Sequence, residues 1–235
     1  MSESCKVAIV AALEREVWPL INNWPSKRER FDGREFKFYE KDSVAVVCGG
    51  IGPEAARRAS EAIIGLYHPA LVISAGFAGA LDPTLEVGHT LTARYVIDAS
   101  DASRTNCAEG DSLLITFGDV AGVEQKAKLG TAFGAHAVDM EAASVARSAE
   151  AHRIKYLACK AISDTSSTAL PPIGRFIGPD GKFHALNFVA YVAIRPWLWA
   201  RAHRLASNSQ LAAKNLCTML AETAKANTAD RILTR

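Results

Sequence analysis

Three acids, Glu16, Glu141 and Asp164, stand where apolar runs give way to polar or glycine-rich residues. Glu14-Arg15-Glu16, Gly49–Gly52, Gly76–Gly79 and Ser163-Asp164 each follow a short apolar run, and Asp139-Met140-Glu141 lies where a strand pattern passes into a helical one. In open α/β sheets, ligands bind beyond the carboxyl ends of strands. Glycines there let backbone approach a ligand closely, and their N–H groups can cradle anions or hydroxyls. A carboxyl group can supply a proton or a negative charge, according to its surroundings. One acid at a helix start is usually a cap. Five such groups at strand ends together mark a site.

The elements that must carry these groups follow from the apolar patterning. Cys5–Ala12 is a continuous apolar run, as expected of a strand buried on both faces. Glu14–Asn22 suits a helix, and Glu35–Glu40 and Ser43–Cys48 read as strands joined by a turn at Lys41-Asp42. Pro53 opens a helix that runs to about Tyr67, before His68-Pro69 breaks it. Strands are expected at Ala70–Ala75, Gly88–Ala99, Ser112–Phe117, Ala135–Met140 and Tyr156–Ile162, with a helix at Glu141–His152. Gly76–Gly79 reads as a glycine-rich loop, and Thr165–Gly181 as a polar, proline-containing one. Phe183–Thr223 is rich in alanine and arginine, is interrupted by Pro196, and reads as two appended helices. The expectation is an α/β fold, a central sheet covered on both faces by helices. Residues 1–182 form its main domain, and 183–235 a helical extension packed on it.

The 235 residues are 49% apolar and 22% charged, which excludes a disordered chain. With 27 basic and 25 acidic residues the formal charge is +2, too balanced for nucleic acid as main ligand. Cys5, Cys48, Cys107, Cys159 and Cys217 form no C-x-x-C pair, so no zinc site and a reducing, cytoplasmic setting are expected. The apolar run Val7–Leu13 is too short for a signal peptide's core, and no run suits a membrane span.

Gly50-Ile51-Gly52, GFAGALDPTLEVGHTL (Gly76–Leu91), AVDMEAASVA (Ala137–Ala146) and KAISDTSS (Lys160–Ser167) together resemble the purine nucleoside phosphorylase and nucleosidase superfamily. The order and spacing agree over roughly residues 6–168. The opening AALEREV (Ala11–Val17) is similar to that of the methylthioadenosine/S-adenosylhomocysteine nucleosidases. The resemblance implies a three-layer phosphorylase-like fold and cleavage of an N-glycosidic bond. It gives Asp164 the proton or hydrogen bond to N7 of the leaving purine, and Glu141 the ribose hydroxyls and the developing cation. Met140 would pack against the sugar, and Glu16 would activate a water. Gly76, Phe77, Gly79 and Ser163 would line the substrate, and Gly52 the phosphate.

The chemistry independently asks for carboxyl groups. Loss of a purine leaves an oxocarbenium-like sugar and a base gaining negative charge, so a proton is needed on one side and negative charge on the other. An aspartate serving as that acid needs a desolvated setting. A carboxylate about 4 Å from the cationic sugar supplies on the order of 4 kcal/mol at an effective dielectric near 20.

The chain also departs from the family pattern. Phe77 replaces a serine that commonly touches the nucleophile or phosphate, and the stretch between Arg94 and Gly118 lacks most of a substrate-covering loop. Phe117 is the candidate for stacking on the purine. STALPP (Ser167–Pro172), Gly181 and the Phe188–Leu205 stretch resemble the hopanoid-associated phosphorylase branch, which implies an adenosyl-hopane substrate. Trp197, Trp199 and Tyr191 interleaved with Arg195, Arg201 and Arg204 suit either a peripheral contact with lipid at the inner membrane face or a protein interface.

The leading expectation is therefore phosphorolytic release of adenine, with inorganic phosphate as co-substrate and no cofactor or metal. Hydrolysis through Glu16 is the alternative, and a nucleoside-binding protein without turnover the third reading. A dinucleotide-dependent enzyme is set aside, since Gly76–Gly79 lacks the G-x-G-x-x-G spacing. The family resemblance implies a homo-oligomer, dimeric or hexameric.

Overall fold

A computed structural model describes residues 5–229. Its sheet has ten strands in mixed orientation, with helices packed on it. β1 (Val7–Ala11) lies between β4 (Val44–Cys48) and β5 (Leu71–Ala80), parallel to both, and none of its residues is more than 3% exposed. That burial explains why its sequence is apolar without alternation. β10 (Lys155–Asp164) runs parallel to β5 and antiparallel to β6 (Thr90–Asp98). β6 pairs with β8 (Ser112–Thr116), β8 with β9 (Ala137–Asp139), and β9 with β5. These five strands therefore close into a ring, and β1, β4, β3 (Arg34–Lys41) and β2 (Ser26–Phe31) extend it to one side.

Two apolar layers hold the helices. On one face, Ala59 and Ile63 of α2 (Pro53–Tyr67) and Val145 and Ala146 of α4 (Ala142–Ala151) pack with Ala8, Val10 and Val72. On the other, Val17 and Ile21 of α1 (Glu14–Ile21) meet Ile9, Ile73 and Leu157, together with Leu216 and Leu220 of α6 (Pro196–Ala229). The C-terminal segment is thus two helices, α5 (Ala185–Ala193) and α6, and the second half of α6 is part of the core rather than an ornament on it.

Three features differ from the sequence reading. Gly76–Gly79 is not a loop, because β5 continues through Ala80 with Gly76 opposite Lys160 and Gly79 opposite Asp164 on β10. β2 reads SKRERF and sits at the sheet edge, paired on one side only, where it needs no apolar face. α3 (Val123–Phe133) also escapes the apolar pattern, since it buries little besides Lys126 and Leu129.

Candidate active site

The strand ends bring the acids to one cavity, whose walls include Glu16, Met140, Glu141, Ser163, Asp164 and Lys126. Phe77 and Gly79 of β5 line it as well.

Glu16 belongs to the first turn of α1, directly after β1. It is only 7% exposed, and its Oε2 accepts the N–H groups of Ala12 and Leu13, both at 3.2 Å. Burial pushes this carboxyl above its ordinary range, against the pull of those N–H groups and of the Lys160 ammonium. A Cβ placed on Gly76 would lie 3.3 Å from Glu16 Oε2, so β5 passes close to this acid.

Glu141 caps α4 and reaches back to Gly52, whose N–H donates to its Oε1 at 2.8 Å. Burial, followed by the negative charges of Asp139 and Glu16, pushes Glu141 up to about 8. Beneath it lies a fixed polar network. Asp139 Oδ2 accepts from Lys160 Nζ and from the N–H of Ala142, both at 2.8 Å. Thr116 Oγ1 donates to Asp139 Oδ1 at 2.6 Å and accepts the N–H of Ala143 at 2.9 Å. Lys160 also donates to Ser74 Oγ at 3.1 Å. Burial alone would lower the Lys160 ammonium's pKa, but Asp139, Glu141 and Glu16 together raise it.

Asp164 ends β10 and is 5% exposed. Ser163 Oγ donates to its Oδ1 at 2.7 Å, and Lys126 of α3 pairs with its Oδ2. Asp164 thus differs from the lone, desolvated acid that the sequence suggested. Its buried partner is a cation, and Lys126 was not legible as a site residue because α3 itself was not.

Three expected participants, Phe117, Gly52 and Gly76, are not in the cavity wall, and Gly76 lies instead beside Glu16 and Lys160. Phe117 packs against the cluster of Leu81, Ile97 and Ile115 and does not line the cavity. Phe77 is the one aromatic residue that does, among the described residues. The Gly52 N–H, expected to meet phosphate, is taken by Glu141, and Gly52 is not in the cavity wall.

The arrangement can put negative charge at one end of a ligand and a protonic ion pair at the other. Next to it, an apolar groove of about 550 Å³ runs between α1, α5 and α6, and shares Arg15, Ile173, Leu205 and Ser209 with the cavity.

This ring-closed α/β sheet with acids at its strand ends belongs to the phosphorylase superfamily, whose family model matches residues 6–118 and 116–171. Among curated proteins, a 5'-methylthioadenosine/S-adenosylhomocysteine nucleosidase from Staphylococcus aureus is 27% identical over 199 residues, covering 68% of this chain and 87% of the relative. Among solved structures, the apo 5'-methylthioadenosine nucleosidase of Arabidopsis thaliana superimposes with a TM-score of 0.74 at 17% identity, covering 96% of each chain. Futalosine hydrolase of Helicobacter pylori does so with a TM-score of 0.66 at 19% identity, over 93% of this chain and 98% of that one. These structural likenesses establish the fold.

Proposed function

We propose that this protein cleaves the N-glycosidic bond of an adenine nucleoside by hydrolysis, and that its substrate carries an apolar 5′ substituent. The observation that carries the reading is the single cavity holding Glu16 and Glu141 together with the Asp164–Lys126 pair.

Glu16 takes a proton from water as the oxygen adds to C1′, and Glu141 holds the ribose hydroxyls and offsets the developing positive charge. At the other end Asp164 meets N7, which must gain a proton as the C1′–N9 electrons move into the ring. Met140 and Phe77 supply apolar walls for the sugar and base. The nucleosidase names of the relatives support the same reaction class.

Water is favoured over phosphate because the sugar end is lined by two acids, Glu16 and Glu141, which in the ionised forms that activity needs would repel a phosphate dianion. Among the cations of this region, Lys160 is held by Asp139 and Lys126 by Asp164. Phosphorolysis keeps one observation in its favour, namely Arg15 in the cavity wall, its guanidinium 5.2 Å from the centre of the Phe183 ring.

The adjoining groove supports the apolar 5′ substituent, since its volume falls in the range that accepts a drug-sized apolar group. Its walls include Trp18, Phe183, Phe188 and Val189. An adenosyl-hopane, implied by resemblance in the tail, is one such substrate. The exposed Leu186, Val189, Ile194, Trp197 and Trp199 on α5 and early α6 give a lipid-tailed substrate, or a second subunit of a homo-oligomer, a surface to meet. No described helix is long and apolar enough to cross a membrane.

The test is adenine release from methylthioadenosine, S-adenosylhomocysteine and a 5′-alkylthioadenosine with a long chain, each with and without phosphate. Release should be independent of phosphate and favour the long chain. Strict dependence on phosphate would assign phosphorolysis instead, and tight binding without release would mark a binding protein.

A further inference from the structure

We propose that Lys126 is the positioning and proton-supplying partner of Asp164 during departure of the base, an inference that rests on the glycosidic cleavage just described. Both oxygens of Asp164 are engaged, Oδ1 by the Ser163 hydroxyl at 2.7 Å and Oδ2 by the Lys126 ammonium. Lys126 is 1% exposed and comes from α3, an element otherwise outside the site. Its Nζ also donates to the Thr165 carbonyl at 2.8 Å, so two of its three N–H groups are used by protein.

The surroundings are shaped for this pair. A Cβ on Gly79 would come 2.9 Å from Lys126 Cε and 3.1 Å from Asp164 Oδ2, so any side chain at this point of β5 would have to displace the pair. An ammonium taken wholly out of water must be matched by charge and hydrogen bonds, and here the match is the one carboxyl group placed to face the base.

The step balances as follows. The C1′–N9 bond breaks and its electron pair enters the purine, while N7 gains a proton from the pair through Asp164. Lys126 Nζ supplies the proton that Asp164 passes on, and is left as a neutral amine beside the carboxylate until it is reprotonated. Glu16 takes the proton from the attacking water, whose oxygen bonds to C1′, and returns it through solvent to Lys126. Adenine and the free sugar leave, and no oxidant or further reactant is consumed.

The experiment compares two substrates that share the sugar chemistry and differ in the leaving group. Adenine nucleosides need protonation at N7, whereas p-nitrophenyl β-D-riboside releases a phenolate that needs none. Lys126→Met should lower kcat for the adenine nucleoside by about 100-fold or more, with less than threefold change on the nitrophenyl riboside. Lys126→Arg keeps the cation if the Met variant does not fold, and should show the same split, because guanidinium does not give up its proton. Equal loss on both substrates, or full activity of Lys126→Arg on the nucleoside, would overturn the proposal. A wild-type protein that releases adenine from no nucleoside and yet cleaves the nitrophenyl riboside would overturn it too, by removing any base protonation to assist. Inactivity of the wild type on both would instead sink the parent reading of glycosidic cleavage, and this inference with it.

Discussion

Burial pushes the carboxyls of Glu141 and Glu16 above their ordinary range, and the negative charges of Asp139 and Glu16 add to the rise at Glu141. A carboxyl whose pKa is raised on folding binds more protons folded than unfolded, and stability therefore falls as pH rises. For Glu141 the window runs from its ordinary 4.5 to about 8, and Glu16 acts in the same direction. Each such group contributes a slope of at most about 1.4 kcal/mol per pH unit. Glu141→Gln should flatten the decline of chemically measured stability between roughly pH 5 and 8 while abolishing most activity; an unchanged slope would place the carboxyl in water. Activity needs the ionised forms, so kcat/KM should climb with pH through the neutral range. Asp164→Asn should reduce adenine release by about 100-fold or more, since an amide cannot pass on the acidic proton, and normal turnover in that variant would remove Asp164 from its role.

The elements show which parts of this site can be read from a sequence. Glu16, Glu141 and Asp164 are legible because buried strands leave short, mainly apolar runs, and each acid lies within three residues of the point where such a run gives way to polar residues. Gly76–Gly79 looks like a loop by composition, yet its glycines serve a strand that must pass Glu16 on one side and the Lys126–Asp164 pair on the other. α3 is hidden because its one catalytic-site contact is a buried lysine, and a lysine in a polar stretch reads as solvated. Phe117 illustrates the reverse limit, as an aromatic near the right place in sequence whose ring goes to a neighbouring core cluster. The groove between α1, α5 and α6 is a tertiary property, since residues from four separate stretches line it. Phe188→Ala should raise KM for a long-chain 5′-alkylthioadenosine several-fold and leave methylthioadenosine nearly unchanged. Equal effects on the two substrates would mean that the chain runs elsewhere.

At the scale of the whole molecule, the ring of five strands carries Glu141 and Asp164, the neighbouring β1 leads into Glu16, and α6 covers one face of β1, β5 and β10. Ala212, Leu216 and Leu220 are fully buried there, in the layer that packs the helical extension on the sheet. A chain ending at residue 182 should lose cooperative thermal unfolding, because it exposes that apolar layer. A sharp transition at the full-length temperature would show that α6 is dispensable.

The most direct measurement is methylthioadenosine turnover in oxygen-18 water without phosphate, with the sugar product weighed by mass spectrometry. The account predicts adenine and sugar in equal amounts, the sugar carrying one heavy oxygen at C1′. No adenine, or a sugar formed only when phosphate is added and carrying it, would contradict the central claim.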